Sequence, residues 1–127
     1  MASRPEVWQS IDVTEPLDQV TSWLTVPEAG EILGISPGKV RRLIEEHNLI
    51  AIKQDGVFKI PAELIIDGEP LHSLRGTILV LLDSGFTLGG AIKWLYSPEE
   101  SLKTTPISAL IAGRKAEVRR VAQSLAL

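Results

Sequence analysis

The chain has 127 residues, of which 44% are hydrophobic, and a formal net charge of −3. This length suits one compact domain or a small domain with an extension, and no apolar stretch approaches the length of a membrane span. Cysteine is absent, which excludes disulfides, thiolate nucleophiles and cysteine-based zinc sites. Because the N-terminus also lacks the pattern of a signal peptide, we expect a cytoplasmic protein without membrane contact.

Residues 1–21 contain two prolines, scattered acids and no helical or strand period, a pattern that predicts a flexible N-terminal arm. Ser3, Ser10 and Thr14 are hydroxyls that a protein kinase could modify in such an arm. A phosphate there would add about two negative charges to an acidic segment and oppose the approach of a polyanion. Ordinary linker hydroxyls are the alternative interpretation of each.

A first helix is predicted to begin after Thr25 and to end at Gly34. Thr25 and Glu28 have the spacing of a capping box, in which each side chain satisfies a backbone N–H of the other residue. Gly34 can adopt the left-handed backbone that ends a helix. Because a second helix start follows at once, the pattern predicts a helix-turn-helix.

The second helix is predicted to begin after Ser36, to run to about His47 and to stop at Asn48. Helical spacing gives it one apolar face and leaves a basic N-terminal half on the other side. A recognition helix needs this layout, because its first turns enter the major groove and its cations reach guanine edges or phosphates. The candidate DNA-contacting residues are Ser36, Gly38, Lys39, Arg41 and Arg42.

A two-stranded hairpin wing is predicted after the second helix. Two short β-branched runs flank Asp55-Gly56, and Asp-Gly between such runs favours a tight hairpin turn. Lys53 and Lys59 lie on either side of the turn, so the tip is predicted to contact phosphates or a minor groove. Residues 61–66 are predicted as a helical turn or a third strand, and turn chemistry at 67–68 ends the winged unit.

Residues 69–127 are predicted to form a helical region packed on the winged unit of residues 22–68. Apolar stripes at helical spacing indicate helices that end near Gly85 and Ser97, a short helix from Pro106 to Ile111, and a final amphipathic helix. We expect that last helix to present its cations outward, as a secondary DNA contact or as a partner surface. Its cations are Arg114, Lys115, Arg119 and Arg120.

Charge is distributed unevenly along the chain. Residues 1–31 carry −5 and residues 60–100 carry −4, whereas residues 39–59 carry +2 and residues 101–127 carry +4. DNA-binding domains usually have a clear positive excess. The five cations of the winged unit therefore predict weak DNA binding by a monomer, with a modest salt dependence.

The winged unit resembles the excisionase-like and MerR-like winged helix-turn-helix modules through Gly34-Ile35-Ser36, Val40-Arg41-Arg42-Leu43-Ile44 and Ile60-Pro61. With Trp94-Leu95-Tyr96-Ser97-Pro98 and the basic last helix included, nearly the whole chain is similar to a small actinobacterial family of winged helix-turn-helix DNA-binding proteins. From Gly85 to Val121 it is also similar to the toxin-binding tail of Xre-type antitoxins. The first resemblances imply a regulatory or nucleoid-associated DNA binder, and the last implies an oligomer or partner surface.

No catalytic or metal-binding pattern is evident in the sequence. His47 and His72 are the only histidines, and neither belongs to an H-x-x-x-H or H-E-x-x-H motif. A G-x-S-x-G nucleophile motif is also missing. We therefore expect no enzyme activity, no cofactor and no metal.

The sequence thus predicts a mainly α protein, with a winged helix-turn-helix, a two-stranded β-hairpin wing and a C-terminal helical extension. The predicted function is binding of double-stranded DNA in transcriptional or nucleoid regulation. The alternative is an antitoxin-like regulator, or a protein-interaction module, whose helical tail binds a protein partner or a second copy of the chain. The net negative charge favours the interaction module.

Overall fold

A computed structural model describes Leu17 and residues 20–125 of the protein. These residues divide into a first unit, residues 20–72, and a second unit, residues 73–125 together with Leu17. Leu17 and Val20, both within the segment predicted as a flexible arm, are buried. The predicted kinase sites at Ser3, Ser10 and Thr14 lie outside the described residues.

The first unit contains the helix-turn-helix, formed by α1 (Val26–Leu33) and α2 (Pro37–Glu45). The predicted capping box is present, because the Thr25 N–H donates to Glu28 Oε1 over 2.8 Å and the Glu28 N–H donates to Thr25 Oγ1 over 3.3 Å. Gly34 ends α1 in left-handed backbone with a φ of 71°. The starts of both helices and the end of α1 therefore agree with the sequence prediction.

The second helix ends earlier than predicted. Its last residue is Glu45, and His47 takes the left-handed backbone with a φ of 68°. The N–H of His47 donates to Ile44 O over 3.1 Å and that of Asn48 to Leu43 O over 2.8 Å, which is the bonding of a Schellman motif. The predicted left-handed stop at Asn48 is therefore wrong, because these bonds require the left-handed residue one position earlier.

The wing belongs to a three-stranded antiparallel sheet. Strands β1 (Trp23–Thr25), β2 (Ile52–Gln54) and β3 (Val57–Pro61) pair in the order β1-β3-β2, so β3 is central. Asp55 and Gly56 connect β2 to β3 with φ values of 50° and 80°. Positive φ at both turn residues is typical of the tight hairpin turn that the Asp-Gly pair predicted.

A second, smaller hairpin follows the first. Residues 62–64 form a 3-10 turn, and β4 (Ile65–Ile66) then pairs with β5 (Glu69–Pro70). Asp67 and Gly68 connect these strands with φ values of 53° and 76°. Residues 61–66 thus contain both of the structures that the sequence offered as alternatives, and the predicted stop at 67–68 is a hairpin turn.

Gly30 controls how closely α1 approaches the turn before α2. The N–H of Ile35 donates to Gly30 O over 3.0 Å, and a Cβ added to Gly30 would lie 2.7 Å from Ile35 O. That distance is shorter than van der Waals contact, so only glycine permits this path of the chain. Val40 and Ile44 of α2 are both 0% exposed, and they bury the inner face of the helix in the core of the first unit.

The second unit is helical. In residues 73–125, its helices are α3 (Leu74–Asp83), α4 (Leu88–Leu95), α5 (Pro106–Ile111) and α6 (Lys115–Gln123). Thr87 caps α4 by accepting from the Gly90 N–H over 3.0 Å, and Thr105 caps α5 by accepting from the Ser108 N–H over 3.2 Å. No helix in the described part of the chain combines the length and the apolar character that a membrane span needs.

Candidate nucleic-acid interface

The outer face of α2 carries the residues that the sequence predicted for DNA contact. All of them are exposed: Ser36, Gly38, Lys39, Arg41 and Arg42. Among the residues that the structure describes, no ion pair involves any of the three cations in this set. One face of α2 is therefore anchored in the core, and the opposite face offers unpaired positive charge to solvent.

The start of α2 is open to solvent, but it has few free backbone donors. Ser36 accepts a hydrogen bond from the Lys39 N–H over 3.2 Å, and Pro37 has no N–H to satisfy. The positive end of the helix dipole lies at the same place. A Cβ on Gly38 would meet nothing closer than Ser36 Oγ at 3.9 Å, so the space in front of this backbone is open to a ligand.

The first hairpin separates the two lysines that were predicted to act together. Lys53 is opposite Phe58, whereas Lys59 is opposite Ile52 in β2 and opposite Thr25 in β1. Because opposed residues share a face and successive residues alternate, Lys53 and Lys59 lie on opposite faces of the sheet. Lys53 is exposed and Lys59 is half-buried, so the two lysines do not form one basic tip.

Lys59 lies near the capping box of α1. The pKa of Glu28 is lowered, mainly by hydrogen bonds from the backbone and the side chain of Thr25 and further by the positive charge of Lys59. Lys59 therefore acts on the start of α1. Lys53 is left as the exposed cation of the β2–β3 hairpin.

The cations around α6 do not share one environment, because Arg114 is held within the second unit. Its Nη2 donates to Glu117 Oε2 over 2.8 Å and to Leu102 O over 3.2 Å. This pairing raises the pKa of Arg114 and lowers the pKa of Glu117. Arg114 thus ties the start of α6 to the loop before α5.

Arg119 packs across α3. Its guanidinium occupies the place that a Cβ would take at Gly76, and its Nε is buried without a hydrogen-bond partner among the described residues. The prediction that α6 presents all four cations outward is therefore wrong, because the missing side chain at Gly76 leaves room for Arg119 and because Glu117 engages Arg114. Lys115 and Arg120 are exposed.

A groove beside α2 was not predicted from the sequence. It has a volume of about 460 Å³ and lies between the helix-turn-helix and the β4–β5 hairpin. Lys39 and Arg42 are among its lining residues, as are Gly68, Glu69 and Pro70. No local pattern marks such a feature, because it joins segments that are far apart in the chain.

The described residues contain no cluster of three or more His, Asp or Glu side chains that could hold a metal ion. His72 Nε2 lies 3.2 Å from Glu69 Oε2, with both side chains largely exposed. His47 is half-buried at the end of α2. The two histidines therefore offer no joint site.

The arrangement defines a winged helix-turn-helix protein, in which a basic second helix is followed directly by a hairpin. Residues 10–65 match the family described as "DNA-binding protein Rv2175c, wHTH domain", and residues 71–126 match "Rv2175c C-terminal domain of unknown function". The chain belongs to the Rv2175c family. This result confirms the predicted relationship with an actinobacterial family of winged helix-turn-helix proteins.

Two comparisons extend over nearly the whole chain. It is 31% identical over 128 residues to DNA-binding protein Rv2175c of Mycobacterium tuberculosis (strain ATCC 25618 / H37Rv), covering 91% of this chain and 86% of the relative. Its fold is similar to the NMR structure of Rv2175c, with a TM-score of 0.77, 26% identity and full coverage of both chains. The resemblances to excisionase-like, MerR-like and Xre-type proteins remain predictions.

Proposed function

We propose that the chain binds double-stranded DNA by inserting α2 into the major groove, as a transcriptional or nucleoid regulator in the cytoplasm. The observation that carries this proposal is the exposed basic face of α2, where Lys39, Arg41 and Arg42 form no ion pair among the described residues. Their helix is anchored by Val40 and Ile44. The name of the M. tuberculosis relative, a DNA-binding protein, supports the same function.

The exposed cations indicate how strongly a monomer binds. Lys39, Arg41, Arg42 and Lys53 are exposed in the first unit, whereas half-buried Lys59 lies near Glu28. Each phosphate that a cation neutralises changes the slope of log K against log salt by about −0.9. Four contacts give a slope of about −3.6, which corresponds to weak binding unless further contacts contribute.

Helix α6 of the second unit offers a secondary contact through its remaining exposed cations. Lys115 and Arg120 line a shallow groove of about 260 Å³ on α6, and no acidic residue lines it. Binding of a protein partner, or of a second copy of the chain, to the C-terminal helices stays a prediction. Arg119 also lines this groove, but its guanidinium packs against Gly76. Variants of the two exposed cations therefore test both uses of the surface.

The test is a titration of the full chain with labelled duplexes, followed by fluorescence anisotropy over a salt series. We expect salt-dependent binding to mixed duplexes and tighter binding to a sequence enriched by selection. Binding to no duplex at low salt would refute the proposed function. A slope close to zero would show that contacts with phosphates do not provide the affinity.

Lys53 and Lys59 provide a matched pair for the wing. Lys53→Ala should reduce the salt slope by about one unit and leave sequence preference unchanged. Lys59→Ala removes the same charge from the opposite face, so it should leave the slope unchanged. Equal losses of slope in both variants would contradict the division of the hairpin into two faces.

A further inference from the structure

The groove beside α2 has an apolar floor. Leu33, Ile35, Leu43 and Pro70 line it, and each is half-buried. Its volume of about 460 Å³ lies within the range of small-molecule sites, about 300–1,000 Å³. Covering the exposed part of these apolar side chains lowers the free energy, because it removes apolar surface from water. The floor therefore favours a flat or chain-like apolar ligand.

The polar residues of the groove are unequally charged. Lys39 and Arg42 lie one helical turn apart on α2, and both line the groove. Glu69 is the acidic residue among the lining side chains, and its carboxylate lies 3.2 Å from His72 Nε2. Two cations that form no ion pair among the described residues, beside an apolar floor, favour a ligand with one carboxylate, sulfonate or phosphate group.

Two exposed apolar residues belong to the elements that form the groove. Ile32 is 50% exposed and Ile66 is 37% exposed. The α1 carbonyl of Ile32 lies 3.8 Å from the position of a Cβ on Gly68, so the end of α1 is close to the β4–β5 turn.

We propose that this groove binds a small amphipathic anion, with its apolar body on Leu33, Leu43 and Pro70 and its acidic group on Lys39 and Arg42. The same two cations are part of the proposed DNA-contacting face of α2. Bound ligand would therefore compete with DNA phosphates, and the site would act as an effector site. This regulatory consequence rests on the proposed function, whereas ligand binding itself does not.

Ligand binding is tested on the full chain without DNA. The probe is 2-naphthoate, an aromatic body with one carboxylate, and the control is 2-naphthalenemethanol, which has the same ring system without a charge. Amide chemical shifts of ¹⁵N-labelled protein report where each probe binds. We expect saturable shifts at residues 33–43 and 68–70 with the anion, and binding at least about fivefold weaker with the neutral control.

Two neighbouring arginines of α2 provide matched variants, because one lines the groove and the other does not. Arg42→Gln should weaken binding of 2-naphthoate by about fivefold, because Arg42 lines the groove. Arg41→Gln removes the same charge from an adjacent exposed position outside the groove lining and should leave probe binding unchanged. Glu69→Gln removes the opposing charge and should tighten binding. Equal effects of the two arginine variants would overturn the proposed site.

Competition is measured by repeating the DNA titration in saturating 2-naphthoate. Sodium acetate at the same concentration controls for ionic strength. We expect a weaker apparent DNA affinity with naphthoate than with acetate, and a smaller difference in the Arg42→Gln variant. Equal affinities in the two salts would overturn the effector role.

Other outcomes separate the two proposals. Absence of saturable shifts at the groove, in a chain that binds DNA, would refute the ligand site and leave the proposed function intact. Saturable shifts in a chain that binds no DNA would refute the proposed function and leave the ligand site. Groove shifts that grow with protein concentration and without any probe would show that a second copy occupies the groove, which also overturns the proposal.

Discussion

Replacing Arg41 and Arg42 together with alanine tests the proposed recognition helix most directly. Both side chains are exposed, and neither forms an ion pair among the described residues. The buried anchors of α2, Val40 and Ile44, are unchanged in the variant. We therefore expect a native circular dichroism spectrum and an unchanged midpoint of urea unfolding.

The magnitude follows from the contacts that remain. Of the four exposed cations in the first unit, the variant keeps Lys39 and Lys53, so the salt slope should fall from about −3.6 to about −1.8. This slope counts both arginines as phosphate contacts. An arginine that instead makes a bidentate contact with a guanine contributes about 1–3 kcal/mol and changes the slope less. Loss of one such contact raises the dissociation constant by about tenfold, and loss of two raises it further.

The assay is fluorescence anisotropy with a selected duplex between about 50 and 200 mM salt. Lys93→Ala is the control, because it removes an exposed cation from α4 in the second unit, and it should leave affinity and slope unchanged. Wild-type affinity and slope in a natively folded double variant would refute the assignment of α2 to the major groove. An equal loss in the control would assign the effect to overall charge.

Three further predictions concern the fold and the second surface. Gly30→Ala should lower the free energy of unfolding by about 1–3 kcal/mol, because its Cβ would lie 2.7 Å from a backbone oxygen. Gly38→Ala, the control, should leave the free energy of unfolding unchanged or raise it by about 1 kcal/mol, while weakening DNA binding. Equal stability of Gly30→Ala and Gly38→Ala in urea would contradict the close contact between Gly30 and Ile35. The pKa of Glu28 is lower in the folded state than its ordinary value of 4.5, so the ionised carboxylate stabilises the fold when the pH is above 4.5. This stabilisation is lost as the pH falls through the lowered pKa of the folded state. The stability difference between wild type and Glu28→Gln should therefore change below pH 4.5, and a constant difference from neutral to acidic pH would exclude this origin. Lys115→Glu combined with Arg120→Glu should weaken DNA binding and lower its salt slope if α6 is a secondary contact, whereas unchanged anisotropy titrations would leave this surface to a partner.

Signals that act over a few residues allowed much of the first unit to be predicted. The Thr25–Glu28 capping box and the Asp55-Gly56 turn operate within three or four residues, so distant parts of the chain do not alter them. The bounds of α5, Pro106–Ile111, were predicted for the same reason. Its start has a threonine cap and a proline in the first turn.

Pairing between distant segments could not be predicted. β1 has three residues and pairs with β3, between 34 and 38 positions further along the chain. Neither its length nor its hydrophobic pattern distinguishes it from a loop. Asp67-Gly68 indicated only a turn, because strands of two residues on either side carry no period.

The direction of a charged side chain also depends on what lies opposite its helix. Helical spacing shows which residues of α6 share a face, but it does not show that α3 has a glycine at position 76. Arg119 fills that place, and Leu102 and Glu117 engage Arg114. Helical spacing therefore could not show that two of the four predicted cations make contacts within the second unit.

The close approach of Gly30 to Ile35 has a consequence for divergence among related chains. The path of the chain from α1 into the turn before α2 is limited there by backbone against backbone, a contact that no exchange of core side chains removes. Valine and isoleucine in the core can be replaced by other apolar residues of similar volume over evolutionary time. Any larger side chain at position 30 forces the backbone to shift, so we expect lineages that retain this path of the chain to retain glycine there while much of the surrounding sequence drifts.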